Sequence, residues 1–457
     1  MKRLVVRMAV GAALVWLLPA TAGWGAGWKA GVAKVAITPK NPLWMAGYGS
    51  RDHSSEGAVH DLWAKALGLE DPSGKKALIV TLDVCGIDGG LSRRIREGFK
   101  KDLGLDADRV VLACSHTHCG PVVGQNLLTM YTLDDIQKRA VADYTKTFEK
   151  AIREAAAEAL AKLEPVAVAW ESGRADFAVN RRTNSEPAVP ALREKNALLG
   201  PIDHDVPVLR LRGLDKKVRA VVFGYACHCT VLSVYKFCGD YAGYAQIALE
   251  SRNPGAQAMF VAGCGADQNP LPRRTIELAE QYGNQLADAV QRVIETPMRP
   301  VTTDLASASE EVPLRFAKLP TREQVENDAK SSNGYIARRA LKLLKTFETE
   351  GKLAETYPYP VEIWRLGDLT WVFLGGEVVV DYSLRLKRNL GSTRTWVSGY
   401  CNDVMAYIPS LRVLNEGGYE GETAMIYYGL PTKWSDQVEN QIIESVTRLE
   451  RSLTPRR

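Results

Sequence analysis

The segment ACSHTHCGP, residues 113–121, holds two of the six histidines of this 457-residue chain, one residue apart. A third histidine, His228, lies inside the hydrophobic run GYACHCT, and Glu377 ends another apolar run, FLGGE. Imidazole and carboxylate groups are standard zinc ligands, and two histidines with one glutamate form a catalytic set that leaves a position for water. The residue types therefore make His116, His228 and Glu377 candidate metal ligands.

The same residues also fit a purely structural role. His228 fits a hydrogen-bonded core histidine, and Glu377 fits a carboxylate at a helix N-terminus, where the helix dipole favours it. The candidates are widely spaced, and the chain has neither an HExxH nor a CxxC zinc motif. From the residue types alone, both interpretations stay open.

Nucleophilic catalysis has less support in the sequence than metal chemistry. The chain contains no G-x-S-x-G elbow, which serine hydrolases of the α/β type use. Cys119 lies next to His118, but adjacent residues on a strand face opposite sides. The eight cysteines lie in apolar runs, which is typical of buried packing residues, although an exported chain is compatible with one or two disulfides.

The candidate residues lie at or near the ends of apolar runs that predict strands. Strands or hairpins are predicted over 31–40, 77–87, 109–115, 206–229, 256–270 and 361–377. Strand ends that open into loops often carry functional residues, and side chains at i and i+2 of a strand share a face. We therefore expect His116 and His118 to point into one pocket.

Helical stretches alternate irregularly with these strands. Helices are predicted over 90–103, 132–165, 240–251, 275–295, 378–389 and 435–452. Thr132 is the expected N-cap of the long helix and Pro165 its end, while the polar segment 318–355 predicts a helical excursion over the surface. This order predicts an α/β fold with mixed β-sheets flanked by helices, in one large domain over 27–457.

The N-terminus predicts export from the cytoplasm. Residues 1–22 combine a basic start, a short apolar core and the small-residue site ATA, as in a signal peptide; an uncleaved anchor is the alternative. No other segment has the length and hydropathy of a transmembrane span. Removal of the three basic residues in this segment lowers the formal net charge from +5 to +2, which gives no electrostatic basis for nucleic-acid binding.

The segment SHTHCGP resembles the S-H-T-H-S-G-P-G signature of the neutral/alkaline ceramidases, zinc amidases that cleave the N-acyl bond of ceramide. Further segments resemble this family in the same order: GVAKVAITP, MAGYG, AVHDLWAKAL, NRRTN, GPIDHDVPVL, GYACHCT, GDYAGYA, FLGGE and YCNDVMAYIP with GGYEG. The resemblance implies a secreted zinc-dependent hydrolase that acts on a small-molecule or lipid-like N-acyl substrate through attack of zinc-bound water.

The resemblance also implies a role for each matching residue. The implied Zn²⁺ ligands are His116, His228, Glu377 and Tyr407. The implied catalytic residues are His118, Arg181 and Tyr419. In this interpretation His118 and Tyr419 hydrogen-bond the attacking water or the oxyanion, and Arg181 stabilises negative charge or orients the substrate.

Two departures from the family pattern leave the substrate open. The family's Gly-Asp-x-Ser-Pro-Asn loop is GADQNP here, so Gln268 stands where the family has serine, and an amide does not attack a carbonyl. We expect Asp267 and Gln268 to contact substrate. The family's additional C-terminal β-sandwich-like domain has no counterpart after the helix predicted over 435–452. The alternatives are therefore another ester or amide substrate on the same zinc scaffold, or a non-catalytic extracellular binding protein.

Overall fold

The apolar runs form the strands of a mixed α/β structure, as predicted. The computed structural model describes residues 27–453, so the predicted signal peptide, 1–22, lies outside the described residues. The strands are β1 (Lys29–Ala36), β2 (Trp63–Glu70), β3 (Lys76–Leu82), β4 (Val110–Cys114), β5 (Glu164–Arg174), β6 (Ala178–Asn180), β7 (Asp205–Gly213), β8 (Val218–Tyr225), β9 (Gln257–Ala262), β10 (Gln268–Pro270), β11 (Arg299–Val301), β12 (Leu305–Arg315), β13 (Thr356–Leu366), β14 (Leu369–Leu374), β15 (Glu377–Val378), β16 (Thr395–Ser398) and β17 (Tyr407–Ile408).

Helices connect and cover these strands. They are α1 (Gly89–Leu103), α2 (Asp135–Ala161), α3 (Val189–Glu194), α4 (Asp240–Arg252), α5 (Ile276–Glu295), α6 (Arg322–Asp328), α7 (Gly334–Glu350), α8 (Val380–Leu390), α9 (Leu411–Glu416), α10 (Met425–Tyr428) and α11 (Val438–Leu453). Within the described part of the chain, no helix has the length and hydropathy needed to cross a membrane.

Two larger sheets pack face to face between layers of helices. The first sheet has the order β4-β3-β2-β1-β5-β7-β8-β9, with β11 beside β5, and the second has the order β12-β13-β14-β16. Between the sheets lies a buried apolar layer in which Trp371 stacks on Trp396 at 3.8 Å between ring centroids. Helices α2, α4 and α5 cover the outer face of the first sheet, and α8 and α11 pack against the second. The predicted mixed sheets flanked by helices are confirmed.

Two predicted helix boundaries were wrong. The N-cap of α2 is Asp134, not Thr132, because Asp134 and Gln137 form a capping box. The helix ends at Ala161, and Pro165 lies inside strand β5 instead of stopping the helix. The predicted helical excursion is present as α6 and α7, which share a small core of their own.

Strand direction brings distant parts of the chain to one edge of the fold. β3 and β4 are parallel, as are β8 and β9, and His116 and His228 lie in the loops that follow β4 and β8. The two-residue strands β15 and β17 pair in parallel, with Glu377 directly opposite Tyr407. Within this arrangement His116 and His228, more than 100 positions apart in sequence, lie side by side with 4.8 Å between their ring centroids.

Candidate metal centre

Three predicted ligands form a tight buried cluster. Glu377 Oε2 lies 3.0 Å from His116 Nε2 and 3.1 Å from His228 Nε2. The hydroxyl of Tyr407 lies 3.4 Å from His228 Nε2. All four side chains are almost completely buried. The structure therefore brings the four predicted zinc ligands together.

Hydrogen bonds orient both imidazoles toward the carboxylate. His116 Nδ1 donates to the carbonyl oxygen of Cys85 at 2.6 Å, and His228 Nδ1 donates to that of Gly265 at 2.8 Å. A proton on Nδ1 leaves a lone pair on Nε2, the form in which histidine binds a metal. The hydroxyl of Tyr428 donates to the second oxygen of Glu377 and fixes the carboxylate.

The donor set fits a divalent cation. Glu377 Oε2 is buried and accepts no hydrogen bond from the described residues, although two Nε2 atoms lie about 3 Å away. Burial by itself raises the pKa of Glu377, but His116 and His228 hold it well below its usual range. Burial and Arg181 lower the pKa of His228 to about 4, which keeps this imidazole neutral. Two nitrogen donors and a carboxylate oxygen match the preferences of zinc.

His118 lies next to the cluster, as expected, but it does not reach this position by sharing a strand face with His116. Its Nε2 is 3.1 Å from His116 Nε2, while its buried Nδ1 has no partner among the described residues. Strand β4 ends at Cys114, and His116 adopts a left-handed φ of 61°, so the two imidazoles meet across a turn and not on one strand face. Burial lowers the pKa of His118 well below 6.5, and nearby His116 and His228 lower it further. The His118 imidazole is therefore neutral.

A glycine makes room for this histidine. Gly47 has a φ of +94°, and a Cβ atom there would lie 2.4 Å from His118 Cγ. The ring of Tyr48 contacts His118 edge-on, with 4.9 Å between the ring centroids. The MAGYG segment therefore fixes the position of His118 through close packing of its backbone. A glycine has no functional group, so nothing in the sequence indicates this role.

Arg181 donates hydrogen bonds to three side chains, and one of them is Tyr407, the predicted fourth ligand. Its Nη2 donates to the hydroxyl of Tyr407 at 3.1 Å, Nε to Glu420 Oε1 at 2.7 Å and Nη1 to Asn269 Oδ1 at 3.3 Å. Burial lowers the pKa of Arg181, but Tyr407 and Glu420 outweigh this effect and raise it. Arg181 therefore supplies a fixed positive charge at the edge of the cluster.

Tyr419 lies at the mouth of the site. It begins a π-helical turn and is 41% exposed, and its ring centroid is 5.2 Å from that of Tyr407. The Arg181 guanidinium lies 5.9 Å from the centre of the Tyr419 ring. The structure therefore brings the three predicted catalytic side chains around the candidate metal ligands, with Tyr419 the most exposed of the three.

The structure does not bring the side chains of Asp267 and Gln268 into the cluster. Asp267 accepts hydrogen bonds from Val380 N at 2.9 Å and from Asn180 Nδ2 at 3.1 Å. Gln268 is fully buried and donates to the carbonyl of Pro201 at 3.2 Å. Their contacts stabilise the loops around the centre, and Asn269 of β10 is the residue whose side chain bonds the Arg181 guanidinium, while the carbonyl of Asp267 accepts from Arg181 N at 2.9 Å.

Sequence reasoning missed several residues that complete the site. They are Gly47, Cys85, Asn269, Glu420 and Tyr428. Gly47, Asn269 and Glu420 lie in segments already compared with the family, MAGYG, GADQNP and GGYEG, and that position was their one usable signal. Cys85 acts through a backbone atom and Tyr428 through one hydrogen bond, which residue type alone does not reveal.

Comparisons with known proteins identify related chains. The family model described as "Neutral/alkaline non-lysosomal ceramidase, N-terminal" matches residues 28–269, just over half of the chain. The crystal structure of neutral ceramidase from Pseudomonas aeruginosa matches with a TM-score of 0.71 and 19% identity, over 94% of this chain and 75% of that one. A structure described as ceramidase complexed with C2 gives a TM-score of 0.72 and 17% identity, over 94% and 76% of the two chains. At these identities the structural likeness shows a shared fold.

Proposed function

The chain belongs to the neutral/alkaline non-lysosomal ceramidase family, and on this premise we propose that it is an exported, zinc-dependent hydrolase of N-acyl amide bonds. The observation that carries the proposal is the buried Glu377 Oε2, which faces two histidine Nε2 atoms at about 3 Å and accepts no hydrogen bond from the described residues. Family membership supports hydrolysis, and ceramide-like compounds are the first substrates to test. The signal peptide, 1–22, and a single catalytic domain, 27–457, are part of the proposal.

His116, His228 and Glu377 would hold the ion, with the Tyr407 hydroxyl within reach as a fourth ligand. A bound zinc ion supplies Lewis acidity, which polarises a carbonyl and lowers the pKa of a water molecule toward ~7. Tyr428 and the backbone carbonyls of Cys85 and Gly265 keep the ligands in position. No side-chain nucleophile is needed for this chemistry.

The remaining residues bind and orient the substrate. Arg181 offers a fixed positive charge and Tyr419 a hydroxyl near the place where an acyl oxygen would become negative. Such preorganised donors stabilise an oxyanion most strongly when water is excluded. His118 stays neutral beside the ligands and offers a ring nitrogen to the attacking water. The roles of these three residues are part of the proposal.

Another amide or ester is the second candidate substrate, and Gln268 favours it. Its side chain is buried against the carbonyl of Pro201, so the position of the family's serine presents no hydroxyl to the centre. A site without that hydroxyl still supports hydrolysis by water, but it lacks the contact that the family's serine hydroxyl would make with the substrate. Rates on ceramide, on several other N-acyl amides and on carboxylic esters, measured side by side, distinguish the two candidate substrate classes.

The His116→Ala variant tests the proposed function. We expect zinc, measured by elemental analysis, to fall below one ion per chain, and release of fatty acid from N-acyl substrates to fall by more than ~100-fold. His53→Ala is the matched control, because His53 is an exposed histidine that contacts Asp52 and Glu56. Unchanged activity in His116→Ala contradicts the proposal. Wild-type protein that holds no metal and hydrolyses none of these substrates also contradicts it and favours the non-catalytic binding protein.

A further inference from the structure

A cavity of about 460 Å³ adjoins the metal centre. Arg181 and Tyr419 belong both to its lining and to the surroundings of Tyr407, so the cavity borders the centre. A substrate whose acyl carbon lies at the centre would extend one of its two parts into this space. The side chains that line the cavity therefore select that part.

The lining is charged and has a local excess of positive charge. Arg182 is paired with Glu416 and Glu420. At the other side, Arg273 and Arg274 share one carboxylate oxygen of Glu186, at 2.9 Å and 3.1 Å. Two guanidinium groups share one carboxylate, so one positive charge has no ion-pair partner of its own, and the buried Asp240 is a further carboxyl that interacts electrostatically with Arg273.

Arg273 is the residue that presents this charge to the cavity. Its Nε and Nη2 donate to Glu186, while Nη1 donates to no described residue. Arg273 lines the cavity and its side chain is only 18% exposed, whereas Arg274 is 59% exposed and is not among the lining residues. A partly desolvated guanidinium with a free N–H group binds a carboxylate strongly.

The same cavity is a poor environment for a hydrocarbon chain. Among its described lining residues, Leu271 is the one aliphatic side chain. An alkyl chain there would displace water from arginine and glutamate side chains without replacing their hydrogen bonds, which is unfavourable. The cavity therefore favours a short polar group over a long alkyl chain.

The protein offers a different surface beside the centre on which an acyl chain can pack. The rings of Tyr419, Tyr427 and Tyr335 follow one another, with centroids 6.0 Å and 5.0 Å apart. Tyrosine rings offer apolar faces while their hydroxyls stay hydrated or bonded, as that of Tyr335 is to Gly49 O. The two parts of an N-acyl substrate thus have separate surfaces.

We propose that the amine part of the substrate carries a carboxylate bound by Arg273, so that the chain hydrolyses N-acyl amino acids. This inference rests on the proposed function and narrows its substrate. In the reaction the oxygen of water bonds to the acyl carbon, the C–N bond breaks and the nitrogen takes a proton. The products are a carboxylic acid and a free amino acid.

A matched pair of substrates tests this inference. N-octanoylglycine carries the carboxylate, and N-octanoylglycinamide is its neutral counterpart of the same size. We expect kcat/KM for N-octanoylglycine to be at least about tenfold higher than for N-octanoylglycinamide, and Arg273→Gln to remove this preference. Arg322→Gln is the control, because it removes the same charge from an exposed arginine that pairs with Glu326 and does not line the cavity, so the preference should remain. Equal rates on both substrates in the wild type overturn the inference and leave the proposed function standing.

Calorimetric titration measures the preference for a carboxylate in binding alone, without hydrolysis. The same two compounds are titrated into wild-type protein and into Arg273→Gln, each after treatment with a chelator. We expect N-octanoylglycine to bind wild-type protein about tenfold more tightly than the amide, with no difference in the variant. If neither compound is hydrolysed, hydrolysis of N-acyl amino acids is overturned, whereas the proposed function is decided separately by the ceramide-like substrates. Equal affinities overturn the carboxylate site.

Discussion

At the scale of single residues, Tyr428 shows how the centre depends on a side chain outside the ligand set. Its hydroxyl bonds the oxygen of Glu377 that faces away from the histidines, and both residues are buried. This bond determines which carboxylate oxygen is presented to His116 and His228. Partners of this kind orient metal ligands and tune their affinity.

Tyr428→Phe removes this hydrogen bond and nothing else from the centre. We expect the affinity for zinc to fall by roughly tenfold, because the Glu377 carboxylate becomes free to rotate. Competition with a chromogenic chelator measures the change. Tyr427→Phe is the control, since Tyr427 contacts Tyr335 and Tyr419 rather than Glu377. Equal zinc affinities in the two variants would show that the bond to Glu377 has no influence on the metal.

Gly47→Ala probes the position of His118. The new Cβ atom would lie 2.4 Å from His118 Cγ, so the imidazole must move, and displacements of about 1 Å in a catalytic group cost roughly 100-fold in rate. We expect kcat to fall while bound zinc is retained. Gly57→Ala shares the backbone strain of a positive φ but meets no atom within 4 Å, so it isolates the effect on His118. Comparable rates in both variants count against a role for His118.

At the scale of elements, short strands and loops complete the site. The pairing of β15 with β17 sets Glu377 opposite Tyr407. The loop before β17 supports this pair, because the carbonyl of Asp403 accepts a hydrogen bond from Gly376 N at 2.7 Å. The side chain of Asp403 accepts from Tyr357 through one oxygen, and its other oxygen is buried and has no partner among residues 27–453.

Asp403 should make stability depend on pH. Burial, together with nearby Asp88, raises the pKa of its carboxyl to about 7, above its ordinary value of 3.8. A carboxyl that is protonated more readily in the folded state stabilises the fold below its ordinary pKa, and this contribution is lost as the pH rises through about 7. We expect Asp403→Asn to flatten the fall in urea midpoint between pH 5 and pH 8.

Asp436→Asn, at an exposed position, is the control for this measurement. It should leave the pH dependence of the urea midpoint as it is in the wild type. The same slope in Asp403→Asn as in the wild type would mean that the Asp403 carboxyl does not hold a proton in the folded protein.

At the scale of the whole molecule, the centre joins the two sheets. His116 and His228 follow strands of the first sheet, whereas Glu377 follows β14 of the second. A metal held by all three would therefore cross-link the two halves of the fold. Binding to the folded state alone stabilises a protein by about 2.7 kcal/mol at a ligand concentration 100 times the Kd.

Removal of the metal should therefore lower the melting temperature of the whole chain. We expect Tm to fall on dialysis against a chelator and to rise again with added zinc, as measured by differential scanning calorimetry. In His228→Ala the addition of zinc should leave Tm unchanged, since one ligand is missing. A wild-type Tm that is the same with and without zinc would contradict a metal-linked fold.

The sequence by itself determined the strand and helix types, the residue types of the ligand set and their positions near the ends of apolar runs. These features are local: apolar periodicity decides which runs become strands, and His116, His228 and Glu377 are recognisable by their chemistry. The family resemblance added Tyr407, Arg181 and Tyr419, which no local pattern indicates.

Only the tertiary structure decided which atoms face one another. The left-handed turn at His116, the space left by Gly47, the bond from Tyr428 and the inward position of Gln268 all depend on backbone packing between distant segments. The surplus charge of Arg273 likewise arises because Glu186, 87 positions away, is shared with Arg274. Such contacts follow from the assembled fold and are absent from any single stretch of sequence.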